Sequence, residues 1–165
     1  MKARALVVGF GNPLMGDDGV GPAVVSRLMA MGVPQGARVV EGGTDATVLA
    51  NLWRGEPRVF LVDAVATGDP PGTIHRLSSA ELAAWPQKHG DAHSLSLPEC
   101  VGWVLLARPE MALARIELVG IEPERVAPGA GLSDPVSRAV VVLAELLAAE
   151  VAVSGPGSRK DQRMA

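Results

Sequence analysis

Residues 7–21 read VVGFGNPLMGDDGVG: an apolar strand runs into a glycine-rich turn that ends in two acids. A glycine turn feeding a helix N-terminus normally offers backbone N–H groups and the positive end of a dipole to an anion. Asp17 and Asp18 place negative charge where a phosphate would lie. The G-x-G-x-x-G dinucleotide fingerprint also fails, because Leu14 stands where a third glycine should follow Gly9 and Gly11. No G-K-S or G-K-T occurs, so there is no P-loop. Two readings of the acids remain: a metal site, or caps for the helix that follows.

At 165 residues the chain fits one domain with enough length to bury a core. Its single cysteine, Cys100, rules out an intramolecular disulfide and any C-x-x-C motif, and fits a reducing cytoplasm. No apolar run reaches the roughly 20 residues that span a bilayer, and the N-terminus enters a strand directly, which reads as a protein with no leader and no membrane partner. A net charge of −3 and an aromatic content of 3% argue against nucleic acid, which calls for basic footprints and stacking platforms.

Outward from the first strand, residues 4–9 (RALVVG) form a β-branched apolar run, followed by a helix from Asp17 or Asp18 to the Gly32 region, with Pro22 tolerated in its first turn. A second strand at 38–41 precedes a helix capped by Thr44 or Asp45 and running to Trp53. Residues 58–63 (RVFLVD) are apolar almost throughout, as in a strand covered on both faces. TGDPPG is turn chemistry, and TIHRL after it is a short strand whose polar content places it at a sheet edge. Helices are expected at 79–85 and 94–107, a last strand at 115–120, and a C-terminal helix opened by Ser133-Asp134-Pro135 and running to about Val151. The tail 154–165 is rich in glycine, serine and charge and is expected to be disordered, leaving one domain over 1–153. The prediction is a single α/β domain: a mostly parallel twisted sheet of about five strands with helices on both faces.

Ligands of such sheets sit at the carboxyl ends of the strands. Asp17 and Asp18 follow the first strand, Asp63 ends the third, and His93 lies in the loop before the helix at 94, so all four belong to that edge. Asp63 closes a buried run, where a carboxylate must be solvated, hydrogen-bonded or bound to a cation, unless it is a cap or turn residue. Two carboxylates and one imidazole form an open oxygen and nitrogen set suited to a divalent transition ion such as nickel or zinc. His89 is an alternative to His93, and His75 on the edge strand is assigned to the surface. Cys100 has no paired base and reads as core. The absence of G-x-S-x-G disfavours an α/β-hydrolase serine enzyme.

Taken together, these pieces resemble the nickel–iron hydrogenase maturation endopeptidases. The likeness lies in GFGNPLMGDDGVGP at 9–22, EGGT at 41–44, VFLVDAVATGDPPGTI from Val59, His93 with its LSL continuation, ELVGIEPE at 117–124 and GLS at 131–133. It spans about four fifths of the chain in the expected order. The resemblance implies a protease that removes a C-terminal extension from the hydrogenase large-subunit precursor after nickel insertion, and that recognises nickel held by the substrate. By matching positions, Asp18, Asp63 and His93 are the implied nickel-contacting and catalytic residues. Asp18 stands at a position that is Glu in some members and Asp in others. Asp17 matches the acid before that ligand and is not counted as one, although a carboxylate such as Asp18 or Asp17 is also a candidate to activate water. The rival readings are a metallochaperone or adaptor that binds the large subunit without cutting it, and a nucleotide- or phosphosugar-binding α/β enzyme.

Overall fold

The computed structural model describes residues 2–84 and 96–153. Five strands form one sheet: β1 (Ala5–Phe10), β2 (Ala37–Gly43), β3 (Arg58–Ala64), β4 (Ile74–Ser78) and β5 (Arg115–Ile121), in the order β2-β1-β3-β5-β4. The β1–β2, β1–β3 and β3–β5 pairings are parallel, and β4 alone runs antiparallel, beside β5. The expected α/β architecture is thus present, with the polar TIHRL segment at an edge as its composition requires.

Strand side chains alternate between faces, so the continuous apolar runs of β1 and β3 supply two cores at once. Leu6, Val8, Val59, Leu61 and Leu118 project to one face, against α2 (Leu49–Leu52) and α4 (Leu97–Ala107). Ala5, Val7, Phe60, Val62 and Val119 project to the other, where α1 (Val20–Met31) and α5 (Asp134–Val153) cover them with Val24, Leu28, Val140, Leu143 and Leu147. A further short helix, α3 (Ser79–Ala83), follows the edge strand and opens with a capping box between Ser78 and Glu81. Each fully buried Leu or Phe of these layers is worth about 1.5–3 kcal/mol relative to exposure.

The glycines that mimic a nucleotide fingerprint do a packing job instead. A Cβ on Gly21 would lie 2.1 Å from the carbonyl oxygen of Phe10, so α1 rests directly on the β1 backbone. Small residues at this crossing bring the helix start, and the turn before it, down onto the carboxyl edge of the sheet.

The first helix begins differently from its expected form. A 3-10 turn, Gly16–Gly19, carries both acids, and α1 starts only at Val20. Neither segment has a side-chain cap, so the capping reading of Asp17 and Asp18 does not hold. Both carboxylates are engaged elsewhere. The expected disordered tail and the segment bearing His89 and His93 lie outside the described residues.

Candidate functional site

The parallel strands end at a cleft of about 550 Å³. Phe10 and Gly11 at the end of β1, Asp18 in the 3-10 turn, Thr44 to Thr47 after β2, Asp63 near the end of β3, and Leu97 and Cys100 of α4 form its walls. Three aspartates face this space, and no lysine or arginine is among the described residues lining it. The cleft therefore favours a cation and opposes a phosphate, which removes the support for a nucleotide site.

Asp18 is half-buried, and its Oδ2 accepts the N–H of Asn12 at 2.8 Å, folding the loop back on itself. Asp63 is also half-buried, and its Oδ1 accepts the N–H of Ala64 at 2.8 Å. These are the sole hydrogen bonds that either carboxylate accepts among the described residues, so each retains oxygen lone pairs directed to no donor among them. Burial pushes the Asp63 carboxyl up to about 7, despite the Ala64 N–H, and the nearby charge of Asp18 pushes it further in the same direction. A buried carboxyl held up beside a second carboxylate describes a site short of one positive charge.

Gly11 lets the two acids converge. Its φ is +126°, and a Cβ there would lie 1.9 Å from the carbonyl oxygen of Asp18 and 3.7 Å from Asp63 Oδ1. Any side chain at this position would drive the acid-bearing turn away from β3.

Asp17 has the opposite fate. It is fully buried, and its carboxylate accepts the N–H of Ser133 at 2.7 Å, the Ser133 hydroxyl at 2.8 Å, and the N–H groups of Glu124 and Arg125 at 2.8 Å each. These bonds outweigh the cost of burial and hold its carboxyl below the usual range. With four donors on its carboxylate and no part in the cleft lining, Asp17 is not the base that activates water there. It ties the acid-bearing turn to the segment leading into α5.

Asp45 has the capping role foreseen for it, accepting the N–H and hydroxyl of Thr47 at 2.9 and 2.6 Å. It also adds a third carboxylate to the cleft wall, a placement that a capping signal alone does not convey. Cys100 is buried, as expected for a core residue. Burial and the charges of Asp45 and Glu99 push its thiol up, away from the thiolate a nucleophile needs. His93 lies outside the described residues, and Leu97, four positions after it in sequence, is on the wall of this cleft.

His75 is not the surface residue its strand suggests. Its side chain is 13% exposed and its Nε2 lies 3.0 Å from Oε2 of buried Glu122. Asp69, His75 and Glu122 each place one ligand-type atom within 4.8 Å of the others, a grouping able to hold a metal ion. The sequence signal was available in pieces: a histidine in TIHRL and an acid just past the last strand. Only the antiparallel pairing of β4 with β5, which sets His75 opposite Gly120, brings them together.

Comparison with known proteins agrees with the architecture and with the family resemblance. The family model for the HycI hydrogenase maturation protease matches residues 22–150. Hydrogenase 2 maturation protease of Escherichia coli is 27% identical over 92% of this chain and 93% of its own length. Among solved structures, the NiFe hydrogenase maturation protease HybD from Thermococcus kodakarensis superposes with a TM-score of 0.72 at 29% identity, covering 90% of this chain and 99% of that one. A hydrogenase 2 maturation peptidase from a Thaumarchaeota archaeon gives a TM-score of 0.61 at 26% identity, covering 90% and 97%. With a family match across most of its length and the same fold carrying an acidic cleft at the sheet edge, this chain belongs to the hydrogenase maturation protease family.

Proposed function

We propose that this protease removes a C-terminal extension from the nickel-loaded large-subunit precursor of a nickel–iron hydrogenase in the cytoplasm, using the acidic cleft to recognise the nickel its substrate carries. The observation that supports this reading most directly is the pair Asp18 and Asp63, half-buried in one cleft with, among the described residues, unspent lone pairs and no lysine or arginine in the lining to neutralise them. A metal ion arriving with the substrate supplies the missing charge. His93 is the proposed third contact. Its imidazole would complete an oxygen and nitrogen set that suits nickel.

Docking of the ion would lay the chain that follows it along the cleft. Proximity then does much of the work, since a held peptide bond reacts in an effectively unimolecular step. The ion can polarise the scissile carbonyl as a Lewis acid. Water attack in turn requires a base, and a carboxylate oxygen that the ion leaves free, on Asp18 or Asp63, would take that proton. No cysteine or serine nucleophile is needed, in keeping with the suppressed acidity of the Cys100 thiol.

Intact-mass analysis of the precursor after incubation with this protein tests the proposal. Loss of a C-terminal peptide from the nickel-loaded precursor alone is the expected result. Binding without mass loss in either form would favour the metallochaperone reading, and equal cleavage of both forms would remove nickel from the recognition step.

A further inference from the structure

The sheet order β2-β1-β3-β5-β4 puts Asp63 on the central strand, and the acidic cleft lies largely to one side of it. Gly11, Asp18 and Thr44 to Thr47 line that side, beyond the ends of β1 and β2. On the other side, towards β5 and β4, a second cavity of about 310 Å³ opens against the start of α4. Asp63 and Leu97 belong to the walls of both, so the two spaces adjoin.

The second cavity differs in chemistry. Leu118 and Leu77, directly opposed across β5 and β4, line it together with Val65, Leu97 and Pro98. Asp63, where the cavity meets the cleft, is the sole charged residue among the described residues of its lining. The hydroxyl of Ser96, also in the wall, is committed to Glu99 Oε2 at 2.8 Å. The part of the wall formed by Val65 and Ala66 is held in place by its backbone. The Val65 N–H donates to the Ile121 carbonyl at 3.0 Å, and the N–H groups of Thr67 and Gly68 donate to the Glu122 carboxylate at 2.9 and 3.0 Å. The cavity is thus preformed, and acidic only where it joins the cleft. Such a space favours burial of an aliphatic side chain. It opposes a carboxylate, which would lie unpaired beside Asp63.

We propose that this cavity is the subsite for one aliphatic side chain of the precursor's C-terminal extension. The inference rests on the reading of the cleft as the place where substrate-borne nickel docks. The large subunit keeps its nickel when the extension leaves, so the extension begins on the far side of the cut from the ion. With the ion at Asp18 and Asp63, the adjoining cavity is the apolar space that the departing chain meets beyond those acids. An extended chain advances about 3.3 Å per residue, and the cavity begins at Asp63 itself, so its occupant falls within about the first three residues past the cut. Val65, Ala66 and Leu77 then select the extension, while the acids on the other side recognise the metal.

The test uses full-length protein and the cognate nickel-loaded precursor, with Leu, Phe, Ala, Asp or Lys placed in turn at each of the first three positions of the extension. Affinity, read as fluorescence anisotropy of labelled precursor in the first seconds after mixing, reports on the pocket whether or not the precursor is cut. Intact mass of the same mixtures reports on cleavage. At one position Leu should bind at least about tenfold more tightly than Ala, Asp or Lys. Ala66→Phe, at an exposed loop position, fills the cavity and should shrink that difference to about twofold. Leu77→Ala widens the cavity and should move the preference at the same position from Leu to Phe, a change that partial unfolding does not produce. Equal affinity at all three positions, a preference for Asp or Lys, or a Leu preference that Ala66→Phe leaves unaltered would overturn the subsite, even with nickel-dependent cleavage intact. A Leu preference that Ala66→Phe removes, without loss of mass from any precursor, would uphold the pocket and return the chain to the adaptor reading.

Discussion

Replacing Asp63 with Asn should stabilise the metal-free protein at neutral pH while destroying its ability to process substrate. The carboxyl titrates near 7 in the folded chain against 3.8 as a free side chain. Because the folded value is the higher one, the contribution to stability is complete below about pH 4 and is lost as the pH climbs towards 7. Each pH unit in that window costs about 1.4 kcal/mol, so the full interval sets an upper limit on the order of 4 kcal/mol by pH 7. Asp63 keeps some contact with water, and solvent screening brings the expected figure down to about 2 kcal/mol. Asn removes the charge, and its amide oxygen can still accept the Ala64 N–H.

For a domain of this size, about 2 kcal/mol corresponds to a Tm increase of roughly 4–8 °C. The assay is thermal or urea unfolding of parent and Asp63→Asn, both stripped of metal, at intervals from pH 4 to 7.5. The difference between the two curves isolates Asp63 from every other titrating group. It should be near zero at pH 4 and grow in favour of the variant towards pH 7. A variant equal to or less stable than its parent at pH 7 would refute the account of the cleft as a site short of positive charge. Loss of precursor processing by the same variant would then separate function from stability, as expected where strain is retained for activity.

Other substitutions carry different signs. Asp17→Asn, nearly identical in shape, turns an amide N–H₂ towards groups that are already donors and should cost about 3 kcal/mol in urea unfolding; a neutral result would mean the four bonds to the 124–133 segment count for little. Gly11→Ala should reduce metal affinity in the cleft and precursor processing together, because its Cβ meets the Asp18 carbonyl oxygen at 1.9 Å; wild-type behaviour in both assays would contradict the convergence attributed to Gly11. Cys100→Ala should leave processing within about twofold of the parent, and a loss of several orders of magnitude would reinstate a thiol nucleophile. Glu122, held at about 2 by the Thr67 and Gly68 N–H groups against its burial, gives the acid limb: its stabilisation is present above about pH 4.5 and disappears as the pH falls towards 2. Glu122→Gln should flatten that limb in acid unfolding curves.

Much of the fold was legible because its determinants are local. The continuous apolar runs at 5–10 and 58–64, the polar strand at 74–78 and the Ser-Asp-Pro helix start each declare an element over a few residues. The strand-then-helix alternation implies a mostly parallel sheet, and the edge position of β4 matches its polarity, whereas the strand order and the antiparallel direction of β4 are seen only in the structure. The helix start after the glycine turn was read too early for a physical reason. Asp17 has the right chemistry for a cap, but its acceptors are taken by residues more than a hundred positions away, and no window of sequence contains both partners. His75 was misplaced for the same reason, since an edge strand is exposed on average while this side chain is covered by a loop anchored on Glu122.

The three acids of the carboxyl edge show where such reading ends and geometry begins. Asp17, Asp18 and Asp63 are chemically the same residue, and all three fall at the strand ends where a ligand is expected. What distinguishes them is the number of donors that tertiary structure supplies. Asp17 receives four and becomes a structural tie with a lowered carboxyl. Among the described residues, Asp18 and Asp63 receive one each, and both line the cleft beside Gly11. A carboxylate with its lone pairs satisfied by the protein is part of the scaffold, whereas one held in place but left unsatisfied gains most from a cation that comes from outside. The same scaffold that occupies Asp17 fixes the turn bearing Asp18, so the acid spent on the scaffold is the one that positions the acid left open in the cleft.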